Sequence, residues 1–196
     1  MNDDLQRLLE ILYGEGLDFD AAEPDRLRRR RNLEPDAARL LWMIIRAMGA
    51  AAVVEVGTSN GYSTLWLADA VRAQQGRVIS VDVDPEVQCE AARHLARAGL
   101  AAYVDLRAAD GGVVLSGLPD ASQDVVFLDS ERPEYPGWWP HPVRVLRPGG
   151  LLVVDNVLSH PDEVAPLVEL VQAEAALASC VVAIGKGELL AVKVSD

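Results

Sequence analysis

Two apolar segments of the sequence end in side chains that could bind a metal ion. Asp129 follows the apolar run 125–128, and Asp155 and Asn156 follow the run 151–154. Carboxylate and amide oxygens are the hard ligands that Mg²⁺ prefers, and Mg²⁺ needs few of them because it keeps several waters. Each of the three side chains could instead cap a following helix. The pattern therefore leaves a metal site and separate capping roles both open.

A second candidate is the segment Glu55-Val-Gly-Thr-Ser-Asn-Gly-Tyr-Ser63, whose Gly57 and Gly61 lie four residues apart. Glycine allows the backbone to turn sharply and approach a ligand closely, and a helix start offers free N–H groups. The segment fits neither the phosphate-binding GxxxxGK[ST] pattern nor the dinucleotide-binding GxGxxG pattern. Without Lys or Arg it could hold an amino-acid carboxylate rather than a phosphate. The alternative is a turn needed only for packing, which the charged Glu55 argues against.

Asp82 ends the apolar run 77–82 and lies 25 residues after Gly57. An acid at this distance from a glycine loop commonly accepts hydrogen bonds from both hydroxyls of a ribose. Asp also caps helices, but Asp84, which precedes Pro85, is better placed to cap the next one. We therefore predict that Asp82 is free to bind a ribose.

The candidate residues stand at the ends of strands that alternate with helices. This alternation predicts an α/β fold, doubly wound, in which a mostly parallel sheet is covered on both faces. Such sheets bind ligands beyond the carboxyl ends of the strands, where the strand order reverses. We predict seven strands, the last two as an antiparallel hairpin, at 53–56, 77–82, 103–106, 124–129, 151–155, 181–184 and 189–194. The predicted helices run from the glycine loop to Arg72, from Pro85 to Gly99, up to about Leu146, and over 162–178.

The first part of the chain predicts a helical extension, residues 1–48, that precedes a domain at 49–196. Leucines at helical spacing indicate a helix at 3–13, the polar residues 14–25 indicate a loop, and a second helix is expected at 35–48. This extension would pack on the core or on a second subunit.

Composition limits the class of protein. The net charge of −12 and the pI of about 4.6 argue against a general affinity for nucleic acid. No apolar stretch approaches the roughly 18 residues of a membrane span, and the acidic first 25 residues show no secretory signal. Cys89 and Cys180 have no metal-binding spacing and are too few for a disulfide framework. We expect a soluble cytoplasmic protein.

Taken together, the segments resemble the metal-dependent O-methyltransferases related to catechol and caffeoyl-CoA O-methyltransferases. The resemblance extends from about Asn32 to Lys193 and rests on Glu55-Val-Gly-Thr-Ser-Asn-Gly-Tyr-Ser-Thr-Leu, Val81-Asp-Val-Asp-Pro, Phe127-Leu-Asp, Leu146-Arg-Pro-Gly-Gly and Val154-Asp-Asn. It implies a Rossmann-like fold, S-adenosylmethionine as methyl donor, and Mg²⁺ or a similar divalent cation. It also implies a small, catechol-like acceptor and a homodimer.

The resemblance also implies a role for each matching residue. Ser63 would bond the methionine carboxylate of the cofactor, Asp82 its ribose, and Val83 its adenine. The metal would be held by Asp129, Asp155 and Asn156. The whole cofactor site would consist of Leu33, Glu55, Gly57, Ser59, Gly61, Ser63, Asp82, Val83, Asp110, Gly111 and Asp129.

Asp129 and Arg132 are the expected catalytic residues. A divalent cation favours the ionised form of a phenol, and the methyl group is then attacked in line, with most of the help coming from orientation. The family usually has Lys three residues after the first metal Asp, where it is read as the general base. Arg132 stands there in this chain, and Arg stays protonated in proteins. It would stabilise the phenolate or guide an anionic acceptor.

Other interpretations stay open at this point. The scaffold could methylate tRNA or a metal-independent acceptor, or it could bind the cofactor without catalysis. The segment 28–31, all arginine, could attract an anionic acceptor or simply be solvated. Trp138 and Trp139 could form an acceptor wall or cover the sheet, and His160 could take part in the site.

Overall fold

The computed structural model describes residues 1–195, which form one seven-stranded sheet with helices on both faces. The strands are β1 (Ala52–Val56), β2 (Arg77–Asp82), β3 (Val104–Ala108), β4 (Gln123–Leu128), β5 (Leu146–Val154), β6 (Leu177–Val182) and β7 (Glu188–Lys193). Their order across the sheet is β3-β2-β1-β4-β5-β7-β6. Strands β1 to β5 pair in parallel, and β7 is antiparallel to both of its neighbours. The predicted doubly wound sheet with an antiparallel C-terminal hairpin is confirmed.

The helices of the described residues are α1 (Asp3–Ala22), α2 (Pro35–Met48), α3 (Tyr62–Arg72), α4 (Pro85–Arg97), α5 (Gly111–Gly117), α6 (His141–Arg144) and α7 (Pro161–Ala173). Helix α4 begins as predicted, because the Asp84 side chain accepts a hydrogen bond from the backbone N–H of Glu86 at 2.7 Å. None of the helices within residues 1–195 is both long and apolar enough to cross a membrane.

Consecutive residues of the central strands face opposite sides of the sheet. Val53 and Val125 lie in one buried cluster with Leu65 of α3, whereas Val54 and Val126 lie in a second cluster with residues of α7. Because helices cover both faces, both sets of side chains are apolar. This packing explains why the strands read as continuous apolar runs.

The N-terminal helix is longer than predicted. The sequence indicated a loop at 14–25, but α1 continues to Ala22. Its buried stripe extends from Leu5 through Leu12 to Gly16, and the leucines of this stripe pack into the same cluster as α2 and α3. The tertiary contact of this stripe outweighs the low helix propensity of glycine.

The C-terminal boundaries also differ from the prediction. Helix α7 ends at Ala173 instead of 178, and β6 begins at Leu177 instead of 181. Residues 173–178 include several alanines, which favour helix locally. Pairing of Leu177 with Lys193 in the β6–β7 ladder overrides that preference. Helix α6 stops at Arg144 and β5 begins at Leu146, so the strand is longer at its start than expected.

Candidate active site

A cleft of about 1100 Å³ lies at the carboxyl ends of the strands, where β1 separates the β2–β3 side of the sheet from the β4–β5 side. This is the point at which the strand order reverses, as the fold predicts. The cleft is lined by residues that end or follow four different strands, among them Gly57, Asp82, Asp129 and Asn156. The topology therefore brings both predicted halves of the site to one cavity.

The turn after β1 places its backbone directly against the segment after β4. Gly57 has φ +109°, and a Cβ at this position would lie 1.9 Å from the backbone oxygen of Asp129. Only glycine fits this contact and this conformation. Gly61 directly precedes α3 and packs against Ala91 of α4, where an added Cβ would lie 2.9 Å from the alanine Cβ. Both glycines are thus required by close packing as well as by the turn.

Glu55 lies beneath this turn and is completely buried. Its carboxylate accepts hydrogen bonds from the hydroxyls of Ser63 at 2.5 Å, Thr64 at 2.5 Å and Ser80 at 2.6 Å. Burial raises the pKa of Glu55 from 4.5 to about 7, and the three hydroxyls limit the rise. Glu55 therefore holds the glycine loop and the start of α3 in place from below.

Ser63 and Ser59 reach the cleft in different ways. The Ser63 hydroxyl donates its hydrogen to Glu55, so towards a ligand it can only accept, and donors for a carboxylate must come from backbone N–H groups. Ser59, which has φ +47°, donates its hydroxyl to the backbone oxygen of Arg30 at 2.9 Å. Leu33 follows that segment and lines the cleft from the opposite side.

Asp82 lies at the cleft with both carboxylate oxygens oriented by the backbone. Oδ2 accepts from the N–H of Ser59 at 2.9 Å, and Oδ1 accepts from the N–H of Asp84 at 3.1 Å. Each oxygen keeps a further lone pair for a ligand hydroxyl. The next residue, Val83, lines the cleft with an exposed fraction of 71%. An apolar side chain so exposed at a cavity wall is suited to cover a flat aromatic ligand.

Asp110 and Gly111, which the family resemblance places in the cofactor site, lie at the start of α5, a short helix that the sequence did not predict. Asp110 caps this helix by accepting from the N–H of Val113 at 2.8 Å. Gly111 lines the cleft between Val56 and Trp138, and a Cβ there would lie 2.5 Å from Val56. The Trp138 side chain is nearly buried against Gly111 and Gly112. It therefore covers this end of the sheet and also forms part of the cleft wall.

The three expected metal ligands lie together at the other half of the site. The Asn156 amide nitrogen donates to Asp155 Oδ2 at 2.6 Å and faces Asp129 Oδ1 at 3.4 Å. Asn156 has φ +71°, an uncommon conformation for a residue other than glycine. Burial, and then the charge of Asp155, raise the pKa of Asp129 well above its usual value. Asp129 and Asn156 line the cleft, whereas Asp155 is buried behind Asn156 with an exposed fraction of 1%.

Glu188, at the start of β7, is a buried acid that sequence reasoning missed. Burial, and then the charge of the neighbouring Asp155, raise the pKa of Glu188 to about 11, so Glu188 keeps its proton at neutral pH. Glu188 belongs to an apolar strand and approaches Asp155 only through the β5–β7 pairing. Among residues 1–195, no three His, Cys, Asp or Glu side chains are arranged to hold a metal ion. A metal site here would therefore depend on the Asn156 amide.

Arg132 lies in a 3-10 helix at the cleft wall, where its exposed fraction is 3%. Its Nε and one terminal nitrogen approach Glu163 Oε2 at 2.9 and 2.7 Å. The guanidinium lowers the pKa of Glu163, so this ion pair persists at neutral pH. His160, beside it at the start of α7, bonds Ser159 through Nδ1 at 2.9 Å. Burial and the charge of Arg132 lower the pKa of His160.

The arginine-rich segment 26–31, here called the Arg strap, crosses the mouth of the cleft. On one side Arg26 and Arg31 bind the two oxygens of Glu131 at 3.0 and 2.7 Å, and on the other Arg30 binds Glu90 of α4 at 2.6 Å. The strap is therefore more than a solvated charged surface, since three of its arginines anchor it to the walls of the site.

Lys186, in the connection between β6 and β7, is a second functional candidate that the sequence reading missed. It lines the cleft together with Asp129 and Asn156, and its ammonium lies 2.8 Å from Glu34 Oε1. Burial lowers the pKa of Lys186, but the charges of Glu34, Asp155 and Asp129 together raise it by more, so the net shift is upward. Lys186 is thus a stable cation in the half of the cleft that holds the acids.

The strand order, the glycine turn after β1 and the acid at the end of β2 define a Rossmann-like methyltransferase fold. The sequence matches the model of the O-methyltransferase family over residues 24–193, and the chain belongs to that family. The expected family resemblance is confirmed.

Individual relatives give the same result. The chain is 32% identical, over 130 residues, to a catechol O-methyltransferase of Niastella koreensis, a match that covers 65% of this chain and 58% of that protein. The chain therefore spans little more than half the length of this curated relative. The O-methyltransferase TomG of Streptomyces achromogenes, solved with S-adenosylmethionine, is 25% identical, with a TM-score of 0.77 over 100% of this chain and 91% of that one. A Bacillus cereus O-methyltransferase, solved with S-adenosylhomocysteine, shares the fold at 22% identity, with a TM-score of 0.79 over 98% and 91% of the two chains.

Proposed function

We propose that this protein transfers a methyl group from S-adenosylmethionine to a hydroxyl of a small, catechol-like acceptor, with help from a divalent cation. The observation that carries the proposal is the contact between Gly57 and Asp129. It joins two parts of one cleft: a nucleoside half-site at the ends of β1 and β2, and an acidic half-site at Asp129, Asp155 and Asn156. The methyl donor and its acceptor have to meet at such a boundary.

The cofactor would occupy the part of the cleft formed by the ends of β1 and β2. Asp82 would accept hydrogen bonds from the ribose hydroxyls, because both of its oxygens are oriented and reach the cleft. Val83 and Gly111 would cover the adenine, and the backbone of the glycine loop would bind the methionine carboxylate. TomG, which is similar in fold, was solved with this cofactor, and this supports the assignment.

The acceptor half fits a divalent cation by the chemistry of its donors. The charge of Asp155 raises the electrostatic cost of ionising Asp129, and a bound divalent cation would remove that cost. The Asn156 side chain lies against both carboxylates, so its amide oxygen would complete the set after rotation. When bound, the cation would favour the ionised form of the acceptor hydroxyl and fix its position.

The remaining residues of the site would act by orientation and charge. Arg132 would not take the proton of the acceptor, because it stays protonated and is held by Glu163. The Arg strap would close over the bound cofactor and exclude water. The acceptor hydroxyl would lose its proton to solvent, its oxygen would then bond to the methyl carbon as the carbon–sulfur bond breaks, and S-adenosylhomocysteine would leave. Alignment of the two ligands would supply most of the rate gain.

The assembly and cellular location belong to the proposal as well. Helices α1 and α2 expose Ile11, Leu17 and Met43, which are apolar surface that a homodimer would cover. Light scattering after size-exclusion chromatography measures the oligomeric state directly. A cytoplasmic location is consistent with two free, exposed cysteines.

Calorimetric titration tests the proposed binding functions one at a time. S-adenosylmethionine and S-adenosylhomocysteine are each titrated into the protein, with and without Mg²⁺, and catechol is then titrated into the cofactor complex. We expect cofactor binding without metal, and catechol binding only with both cofactor and Mg²⁺. Cofactor binding that leaves catechol binding insensitive to Mg²⁺ would return Asp155 and Asn156 to structural roles. No cofactor binding would refute the proposal.

A further inference from the structure

We infer that Lys186 binds the ionised oxygen of the acceptor, because Arg132, the other cation of the cleft, is paired with Glu163. This inference rests on the proposed function and assigns a further residue to its acceptor site. Lys186 lies in the connection between β6 and β7, outside every motif on which the family resemblance rests.

Arg132 and Lys186, two cations that line the cleft, differ in how freely they can bind a ligand. The Arg132 guanidinium has two nitrogens on Glu163, and the side chain is nearly buried against it. Lys186 has one partner among the described side chains, Glu34, and its side chain keeps an exposed fraction of 35%. An ammonium carries three hydrogens, so Lys186 can donate to a ligand while it remains paired with Glu34.

The backbone fixes Lys186 at the edge of the acidic half-site. Its carbonyl accepts hydrogen bonds from the N–H groups of Leu158 and Ser159 at 3.0 and 3.1 Å, in the segment that follows Asn156. Gly187 allows this close contact, because φ is +95° and a Cβ would lie 2.4 Å from Leu158 Cγ. The backbone of Lys186 is therefore tied to the segment that follows the proposed metal ligand Asn156, and its ammonium is held by Glu34.

The surrounding charges favour a cation at this place. Glu34 before α2, Asp129 after β4 and Asp155 after β5 are acids whose charges act on the Lys186 ammonium and raise its pKa. An anionic acceptor oxygen would meet net repulsion from these acids unless a cation lay on its side of the cleft. Lys186 supplies that charge and a directed hydrogen bond, which is stronger for an ionised partner.

The test uses 4-nitrocatechol, whose ionisation changes its visible absorbance. The probe is bound to the protein with S-adenosylhomocysteine and Mg²⁺, and the pKa of the bound probe is read by titration. The variants are Lys186→Gln and Lys186→Met, which remove the charge, and Lys186→Arg, which keeps it. Arg97→Gln, an exposed residue of α4, serves as the charge-matched control.

In Lys186→Gln and Lys186→Met we expect the pKa of the bound probe to rise by about one pH unit, a tenfold loss of ionisation. Lys186→Arg and Arg97→Gln should match the wild type, and affinity for S-adenosylhomocysteine should not change. For turnover, the loss in kcat/KM should be larger for catechol than for 4-nitrocatechol, since the nitro group already spreads the charge. A purely structural role would lower both equally.

An unchanged pKa of the bound probe in both charge-removing variants would overturn the inference, and so would a Lys186→Arg variant that behaves like Lys186→Gln. A wild-type protein that binds S-adenosylhomocysteine but neither binds nor methylates the catechols would refute the proposed acceptor and the inference with it. The two failures are distinguishable, because only the second affects the wild type.

Discussion

The backbone of Gly57 lies against the backbone of Asp129 so closely that a Cβ on residue 57 would fall 1.9 Å from the Asp129 oxygen. This contact joins the turn after β1 to the segment after β4, and it brings the two half-sites into one cleft.

Gly57→Ala should therefore destabilise the protein as well as the site. The substitution places a side chain at φ +109° and forces two backbone segments apart, which we expect to cost at least about 3 kcal/mol of unfolding free energy. Urea denaturation measures this cost. Gly117→Ala, at the end of α5 with nothing within 4 Å of the added atom, is the matched control and should change stability by less than about 1 kcal/mol. Equal effects of the two substitutions would contradict the packing argument.

Asp82→Asn tests the nucleoside half-site. The substitution keeps the shape of the side chain but removes its charge and one of the two oxygens that would accept hydrogen bonds from the ribose hydroxyls. We therefore expect S-adenosylmethionine to bind about 10- to 100-fold more weakly. Calorimetry gives the Kd. Glu169→Gln, an exposed acid of α7, controls for the change in net charge and should bind like the wild type. Unchanged affinity in Asp82→Asn would exclude Asp82 from the cofactor site.

Glu55 should make stability depend on pH. Folding raises its pKa from 4.5 to about 7, so the native state holds its proton more tightly than the unfolded chain does. Its contribution is fully present below about pH 4.5 and is lost as the pH rises through 7. Between pH 5 and pH 8 the wild type should lose about 2 to 3 kcal/mol relative to Glu55→Gln, which has no proton to lose. Parallel curves for the two proteins in this range would show that Glu55 is ionised throughout.

Glu131→Gln should loosen the Arg strap. Glu131 holds both Arg26 and Arg31, and partly exposed pairs of this kind contribute little each. We expect dissociation of S-adenosylmethionine to accelerate by roughly two- to tenfold, with faster hydrogen exchange confined to residues 26–31. Stopped-flow displacement and mass-resolved hydrogen exchange measure the two effects, with Glu169→Gln as the control. Faster exchange without faster dissociation would mean that the strap does not retain the cofactor.

The fold was predictable because its signals are local. The apolar runs, the glycine turn after β1 and the cap at Asp84 each depend on residues near one another in sequence, and the structure has them where the sequence indicated. The same holds for the strand-end residues Asp82, Asp129 and Asn156, since parallel strands bring their carboxyl ends to one edge whatever the details of packing.

The features that sequence reading missed depend on contacts between distant segments. Nothing in the sequence around Glu188 distinguishes it from other strand residues. The pairing of β7 with β5 places it beside Asp155. Lys186 lies between two glycines in a hairpin connection, and only tertiary packing brings it to Glu34. The partner of Arg132 is likewise 31 residues away along the chain. No local pattern identifies these contacts.

The central claim is most directly tested by incubating the purified protein with S-adenosylmethionine, catechol and Mg²⁺ and analysing the products by mass spectrometry. We predict a monomethylated catechol and S-adenosylhomocysteine in equal amounts, strong loss of product when EDTA removes the metal, and loss in Asp129→Asn. Cofactor binding with no methylated catechol under any of these conditions would contradict the account.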